Sequence, residues 1–349
     1  MQDLLALTAE LVAIPSVSHD ETRLADHVEH ELRSVDWLEV TRVGDNVVAR
    51  THLGRASRLL LAGHLDTVPV NGNAGARIAG DVLHGLGAAD MKGGLAIFLS
   101  LACTLAEPTC DMSYVFYAGE EVDARFNGLA HLFAESPELV AGDVAVLGEP
   151  TDGWIEVGCQ GTMRIEVEVH GARAHSARPW TGVNAIHRLS AVLGAIDGYE
   201  RRPVIEGLEY REALQAVRVE GGVANNVVPD RALLIVNHRV APDRTLAEAE
   251  DCVRELLDGA ADEVRVVAAD PPAAPGLDRP LLRSLVDRSG LPVRAKLGWT
   301  DVARFAEHGI PAVNLGPGDP ELARRADERV ERAKLDTVHT ALLDLLTNP

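Results

Sequence analysis

One histidine and five acidic residues fall where chemistry could be done. His64 and Asp66 close the string Leu59-Leu60-Leu61-Ala62-Gly63-His64-Leu65-Asp66, and Asp90 stands in Ala88-Ala89-Asp90-Met91-Lys92-Gly93-Gly94. Glu120 and Glu121 follow Val115-Phe116-Tyr117-Ala118-Gly119, and Glu149 follows Val144-Ala145-Val146-Leu147-Gly148. Taken singly, an acidic residue after a strand is ordinarily a helix cap or a solvated loop residue. A lone His64 is ordinarily a hydrogen-bonded structural histidine. The adjacent pair Glu120-Glu121 changes the balance, because two carboxylates drawn into one cleft repel unless a cation or proton lies between them. The set reads as a carboxylate-rich two-metal site. One imidazole among carboxylates suits Zn²⁺, Co²⁺ or Mn²⁺ better than a thiolate-seeking metal.

Elements must bring these residues together. Three of the four strings begin with a short apolar run, the pattern of a strand buried on both faces of a parallel sheet. Open α/β sheets hold ligands at the carboxyl ends of such strands, where the polar residues fall. Helices are predicted over 3–14, 20–33, 93–105 and 125–135, and strands near 38–50, 58–63, 113–118 and 143–147, a βαβαβ order with right-handed crossovers. Near residue 164 the pattern changes. Arg164-Ile165-Glu166-Val167-Glu168-Val169-His170 alternates apolar and charged, as a strand with one wet face does. Helices at 182–197 and 244–258 and strands near 215–221, 231–240 and 263–268 complete an α+β unit. The run Pro271-Pro272-Ala273-Ala274-Pro275 reads as a linker, and the first pattern resumes after it. The predicted fold is α/β with an inserted α+β domain: residues 1–164 and 273–349 form the first domain and 165–272 the insertion.

Composition narrows the function. The 349 residues carry 53 acidic and 33 basic side chains, a formal net charge of −20. That field repels phosphate backbones and anionic lipid, which argues against nucleic-acid or membrane binding. Cys103, Cys110, Cys159 and Cys252 show no paired spacing, so a reduced, cytoplasmic protein is expected. The first residues lack a basic stretch before an apolar one, and no signal peptide is expected.

The strings His64-x-Asp66, Asp90-Met91-Lys92-Gly93-Gly94, Glu120-Glu121 and Glu149-Pro150 resemble the metallopeptidase clan that includes glutamate carboxypeptidase, acetylornithine deacetylase and desuccinylases. The run Gly171 to Trp180, Gly182 to Ile186, Asn226-Val227-Val228-Pro229-Asp230, Gly298-Trp299-Thr300-Asp301 and Gly316-Pro317-Gly318-Asp319-Pro320 resemble the desuccinylase branch, in its actinobacterial form. The resemblance covers nearly the whole chain. It implies a phosphorylase/hydrolase-like zinc-exopeptidase catalytic domain with an inserted ferredoxin-like dimerisation domain, and hydrolysis of N-succinyl-LL-2,6-diaminopimelate to succinate and LL-diaminopimelate. It also implies residue roles: His64 and Glu149 on a first metal, Glu121 on a second, Asp90 bridging, and Asp66 orienting His64. Glu120 is then the general base that takes a proton from the attacking water and returns it to the leaving amine. His175, from a partner subunit, would donate to the oxyanion. Arg178, Asn226, Arg239 and Thr300 would line the substrate cleft, where arginine matches a succinyl carboxylate. The competing reading of each arginine is a weak surface ion pair.

One residue departs from the pattern. The clan has a histidine in a Leu-Ala-His-x-x-Asp-Glu context as last ligand of the second metal, and here Leu322-Ala323-Arg324-Arg325-Ala326-Asp327-Glu328 puts Arg324 there. A guanidinium has no lone pair for a metal, and His308 and His339 do not fall at the matching position. Three readings follow: a succinyl-diaminopimelate-type amidohydrolase holding one or two Zn²⁺ or Co²⁺, a deacylase or carboxypeptidase of a sister branch, or a catalytically impaired paralogue.

Overall fold

The computed structural model describes residues 3–348. It divides into two compact units. The first takes the chain up to Gly158, then Pro275–Arg294, then Arg304 onward, and the second takes Cys159–Ala274 with Ala295–Ala303. The expected division at 164/165 falls inside strand Gly161–His170, which pairs as one piece with Arg231–Val240. The units therefore part ahead of that strand.

The first unit is built on an eight-stranded mixed sheet. Its order is Glu39–Val43, Asn46–Arg50, Asp111–Tyr117, Arg58–His64, Val144–Leu147, Ala312–Asn314, Ile155–Val157 and Val293–Ala295. The four central strands run parallel. Their residues are buried almost throughout, as in Leu59-Leu60-Leu61-Ala62 at 0% exposure, because helices cover both faces of a parallel sheet. Each buried leucine contributes roughly 1.5–3 kcal/mol. Helix Gly93–Thr104 is buried over its first ten residues, which explains why it reads as apolar on every side. The predicted strand at 38–50 is a hairpin, broken at Gly44 with φ +59°. A small three-stranded sheet of Arg77–Ala79, Val82–His84 and Arg329–Glu331 escaped the sequence reading, since three-residue strands carry no periodicity to detect.

The second unit has the order strand Gly161–His170, helix Ala185–Asp197, strands Ala213–Gly221 and Arg231–Val240, helix Leu246–Leu256, strand Glu263–Asp270. The sheet order Ala213–Gly221, Arg231–Val240, Gly161–His170, Glu263–Asp270 with every pair antiparallel is the ferredoxin-like arrangement. Met163, Ile165, Val167 and Val169 face the core, where Ala185, Leu189, Val192 and Ile196 meet them at helical spacing. Glu166 and Glu168, on the other face, pair with Arg265 and Arg231.

Candidate metal centre

Three chain segments of the first unit converge because glycines let their backbones touch. A Cβ on Gly94 would lie 2.4 Å from the Gly148 carbonyl, and one on Gly318 would lie 2.2 Å from that of Ala89. The Asp90 turn, the Glu149 strand end and the 316–318 loop are thereby drawn into one place. His64 is the last residue of its strand, and Asp90 sits in an irregular turn just before helix Gly93–Thr104, with a cis peptide to Met91.

His64, Asp90 and Glu121 each offer a ligand atom within 4.8 Å of the others. One imidazole and carboxylate oxygens at that spacing fit a divalent ion of the Zn²⁺ or Co²⁺ kind. His64 Nε2 lies 3.3 Å from Asp90 Oδ1. Its other nitrogen, Nδ1, lies 3.0 Å from the Asp66 carbonyl oxygen and 3.5 Å from Asp66 Oδ1. Glu149, which the resemblance puts beside His64, stands outside that trio. It is buried at the end of the neighbouring strand, and its charge acts on His64. Burial opposes a charged His64 imidazole, but Asp66 and Asp90 outweigh it and hold its pKa well above 6.5. Glu121 is pushed up by burial and by the nearby Asp90 carboxylate. An excess of negative charge over positive is what a bound cation would relieve.

Asp66 does more than orient a histidine. Fully buried, it accepts the backbone N–H groups of Glu120 and Glu121, each at 3.0 Å, and the Ser18 hydroxyl at 2.8 Å. It therefore holds the two-glutamate turn, and its own carboxyl is pulled far below the usual range despite burial, by His64, the Glu121 N–H and Ser18. Glu328 is a functional candidate that sequence reasoning missed. Buried, it accepts the N–H groups of Ala89 and Asp90 at 3.0 and 3.1 Å, and burial lifts its carboxyl to about 7. Only its place after Asp327 in the Leu322 to Glu328 string could have pointed to it.

Arg324 reaches toward the cluster with its side chain 58% exposed. Its Nε and Nη2 reach both Glu121 oxygens at 3.2 and 2.5 Å, and Nε lies 3.9 Å from Asp90 Oδ2. His308 stacks on Phe133, and His339 is buried on the terminal helix. Neither joins the ligand trio.

The remaining predicted residues lie in the second unit. His175, Arg178 and Asn226 are brought together: the Arg178 N–H donates to the His175 carbonyl, and the Ser176 N–H donates to that of Asn226. The Ala177 N–H donates to His175 Nδ1 at 3.0 Å, so the neutral ring carries its hydrogen on Nε2. Arg178 is exposed and forms no ion pair among the described residues. Arg239 is half-buried on strand Arg231–Val240, also without a carboxylate partner among them, and burial alone lowers its pKa. Thr300 is buried in the Ala295–Ala303 segment, apart in sequence from the loop cluster.

Known proteins show the family and the fold. The profile of Peptidase family M20/M25/M40 matches residues 60–348. A Mycobacterium tuberculosis protein provisionally named succinyl-diaminopimelate desuccinylase is 54% identical over 346 residues, covering 99% of this chain and 97% of its own. The Corynebacterium glutamicum succinyl-diaminopimelate desuccinylase is 45% identical, covering 99% and 96%. Among solved structures, a Bacillus subtilis protein described as a dinuclear metal binding peptidase from the M20 family superposes with a TM-score of 0.72. It is 16% identical, covering 98% of this chain and 96% of that one, and shares the fold. With a shared fold and matching sequence over nearly its full length, the chain belongs to peptidase family M20/M25/M40, a family of metal-dependent hydrolases.

Proposed function

We propose that this protein hydrolyses the succinyl amide of N-succinyl-LL-2,6-diaminopimelate, releasing succinate and LL-diaminopimelate. The observation that carries the reading is the His64, Asp90, Glu121 trio beside Glu120, in a chain 54% and 45% identical to proteins of that name. When bound, a divalent ion such as Zn²⁺ or Co²⁺ would supply Lewis acidity toward the amide carbonyl and the attacking water. His64 and Asp90, with Glu149 alongside, would hold it, while the Glu121 carboxylate faces Arg324. Glu120, aimed by the Asp66 carboxylate through its own N–H, takes the proton of the water as oxygen adds to the acyl carbon. It returns that proton to the nitrogen as the C–N bond breaks.

Residues of the second unit supply recognition in this reading. His175 donates from Nε2 to the developing oxyanion. Arg178, Arg239, Asn226 and Thr300 receive the substrate's carboxylates and polar groups, and the two arginines suit this because carboxylate forks are open to them. A second copy of the chain completes the site. Support comes from the edge strand Ala213–Gly221, which exposes Val217 and Val219 at 60% and 61%, next to Ile186 and Leu193 on helix Ala185–Asp197. Exposed apolar strand edges invite pairing. Sedimentation as a monomer at assay concentration would remove the dimer from the account. Unpaired cysteine spacing supports a cytoplasmic reaction in this reading, and among the described residues no helix is long and apolar enough to cross a membrane.

The test is turnover of Co²⁺- or Zn²⁺-loaded protein on N-succinyl-LL-2,6-diaminopimelate beside N-acetylornithine and a set of dipeptides. The reading expects the succinylated diamine to give the highest kcat/KM. A higher value on another N-acyl amino acid would move the protein to a sister branch, and no turnover on any would favour the impaired paralogue.

A further inference from the structure

We infer that the Arg324 guanidinium serves as a built-in second cation, so that each chain holds a single divalent ion and Glu121 is the partner of an arginine. The inference rests on the reading above that this cluster takes a divalent ion. The geometry is a planar fork: Nε and Nη2 meet the two oxygens of one carboxylate, the arrangement in which arginine binds carboxylate best. Both Glu121 oxygens are engaged, so an ion seeking that ligand must first displace the fork. The charge cannot be removed to make room, because guanidinium stays protonated in proteins. Arg324 also faces Asp90 at 3.9 Å, and like charges at such separations repel, so an ion on the Glu121 side of Asp90 meets a fixed positive charge.

The backbone is shaped to aim this side chain. Arg324 has φ +65°, a left-handed conformation that a non-glycine residue keeps only where its surroundings hold it. Those surroundings are the turns Leu322 N–H to Asp319 and Arg325 N–H to Leu322. Glu328, four residues further along the same loop, accepts the N–H groups of Ala89 and Asp90, so one buried carboxylate ties that loop to the Asp90 turn.

The experiment counts metal. Full-length protein is saturated with Zn²⁺, passed through a desalting column, and measured by inductively coupled plasma mass spectrometry. Cobalt absorption spectra are recorded in parallel. One ion per unaltered chain and two per Arg324→His chain, with a second cobalt band in the variant only, is the expected result. Two retained ions in the unaltered protein would overturn the inference, even if the variant failed to fold. One ion in both proteins would overturn it too, since something other than Arg324 would then exclude the second. No ion in either would bring down the reading of the cluster as a metal site, and this inference with it.

Discussion

Each unit buries a histidine among carboxylates, and the two clusters differ in how the charge is met. In the second unit, Glu212 is fully buried and accepts from Arg201 at 2.8 Å, Arg244 at 2.5 Å, the Ala241 N–H at 2.9 Å and the Tyr199 hydroxyl, with His238 at 3.2 Å. Burial opposes its charge, yet these partners hold its carboxyl down at about 2. Asp243 takes the other side of Arg201. Positive groups match negative ones. In the first unit, Asp66, Asp90, Glu121 and Glu149 surround His64 with one arginine among them. Burial of charge alone does not mark a site. An uncompensated excess does, because buried like charges require a cation or a proton.

The difference can be broken by one substitution in each cluster. Glu120→Gln is expected to lower kcat by about 10²–10⁴-fold, the usual worth of a general base, while bound metal and thermal stability stay unchanged. Loss of metal from that variant would make Glu120 a ligand. Glu212→Gln should do the reverse. It leaves Arg201, Arg244 and His238 without their anion at a buried position, and breaking such pairs costs about 3–5 kcal/mol of stability. Turnover per folded molecule should hold. A denaturation midpoint equal to that of the unaltered protein would mean the second cluster is not the charge-matched one.

A smaller effect follows from His64. Its pKa in the metal-free fold lies well above 6.5, so the charged imidazole stabilises the fold fully below 6.5, and that stabilisation is lost as pH rises through the raised value. A metal needs the neutral ring and competes with that proton. Affinity for Zn²⁺ is expected to fall about tenfold per pH unit below the raised value. Calorimetry in buffers of different ionisation enthalpy should show about one proton released per ion bound. Binding with no proton release would remove His64 from the ligand set.

The strand ends carrying His64, Glu120 and Glu149 are legible in the sequence because strands buried on both faces appear as unbroken apolar runs. Asp90 is legible from the glycine pair that starts its helix. The inserted unit shows itself at Arg164 to His170, where one wet face makes the alternation visible. Other features depend on contacts remote in the chain. Asp66 reaches across more than fifty residues to the N–H groups of Glu120 and Glu121, and Glu328 lies 239 residues from Ala89. Local pattern carries no trace of these two long-range contacts. The Glu212 cluster is hidden for the same reason, its members drawn from the loops holding Tyr199, Arg201 and Glu212, from strand Arg231–Val240 and from the turn at 241–244. Arg324 stands out as a substitution, but only the structure gives its direction and its Glu121 fork.

The central claim is that the first unit's cluster is short of positive charge and takes a divalent ion through Asp90. It is tested most directly by titrating Zn²⁺ into metal-free protein, comparing the unaltered chain with Asp90→Asn and Glu212→Gln under calorimetry and thermal denaturation. The account predicts tight binding and a stabilisation of about 2.7 kcal/mol at a hundred times Kd. Both should be kept in Glu212→Gln and lost in Asp90→Asn. Undiminished affinity in Asp90→Asn, or no binding by the unaltered protein, would contradict it.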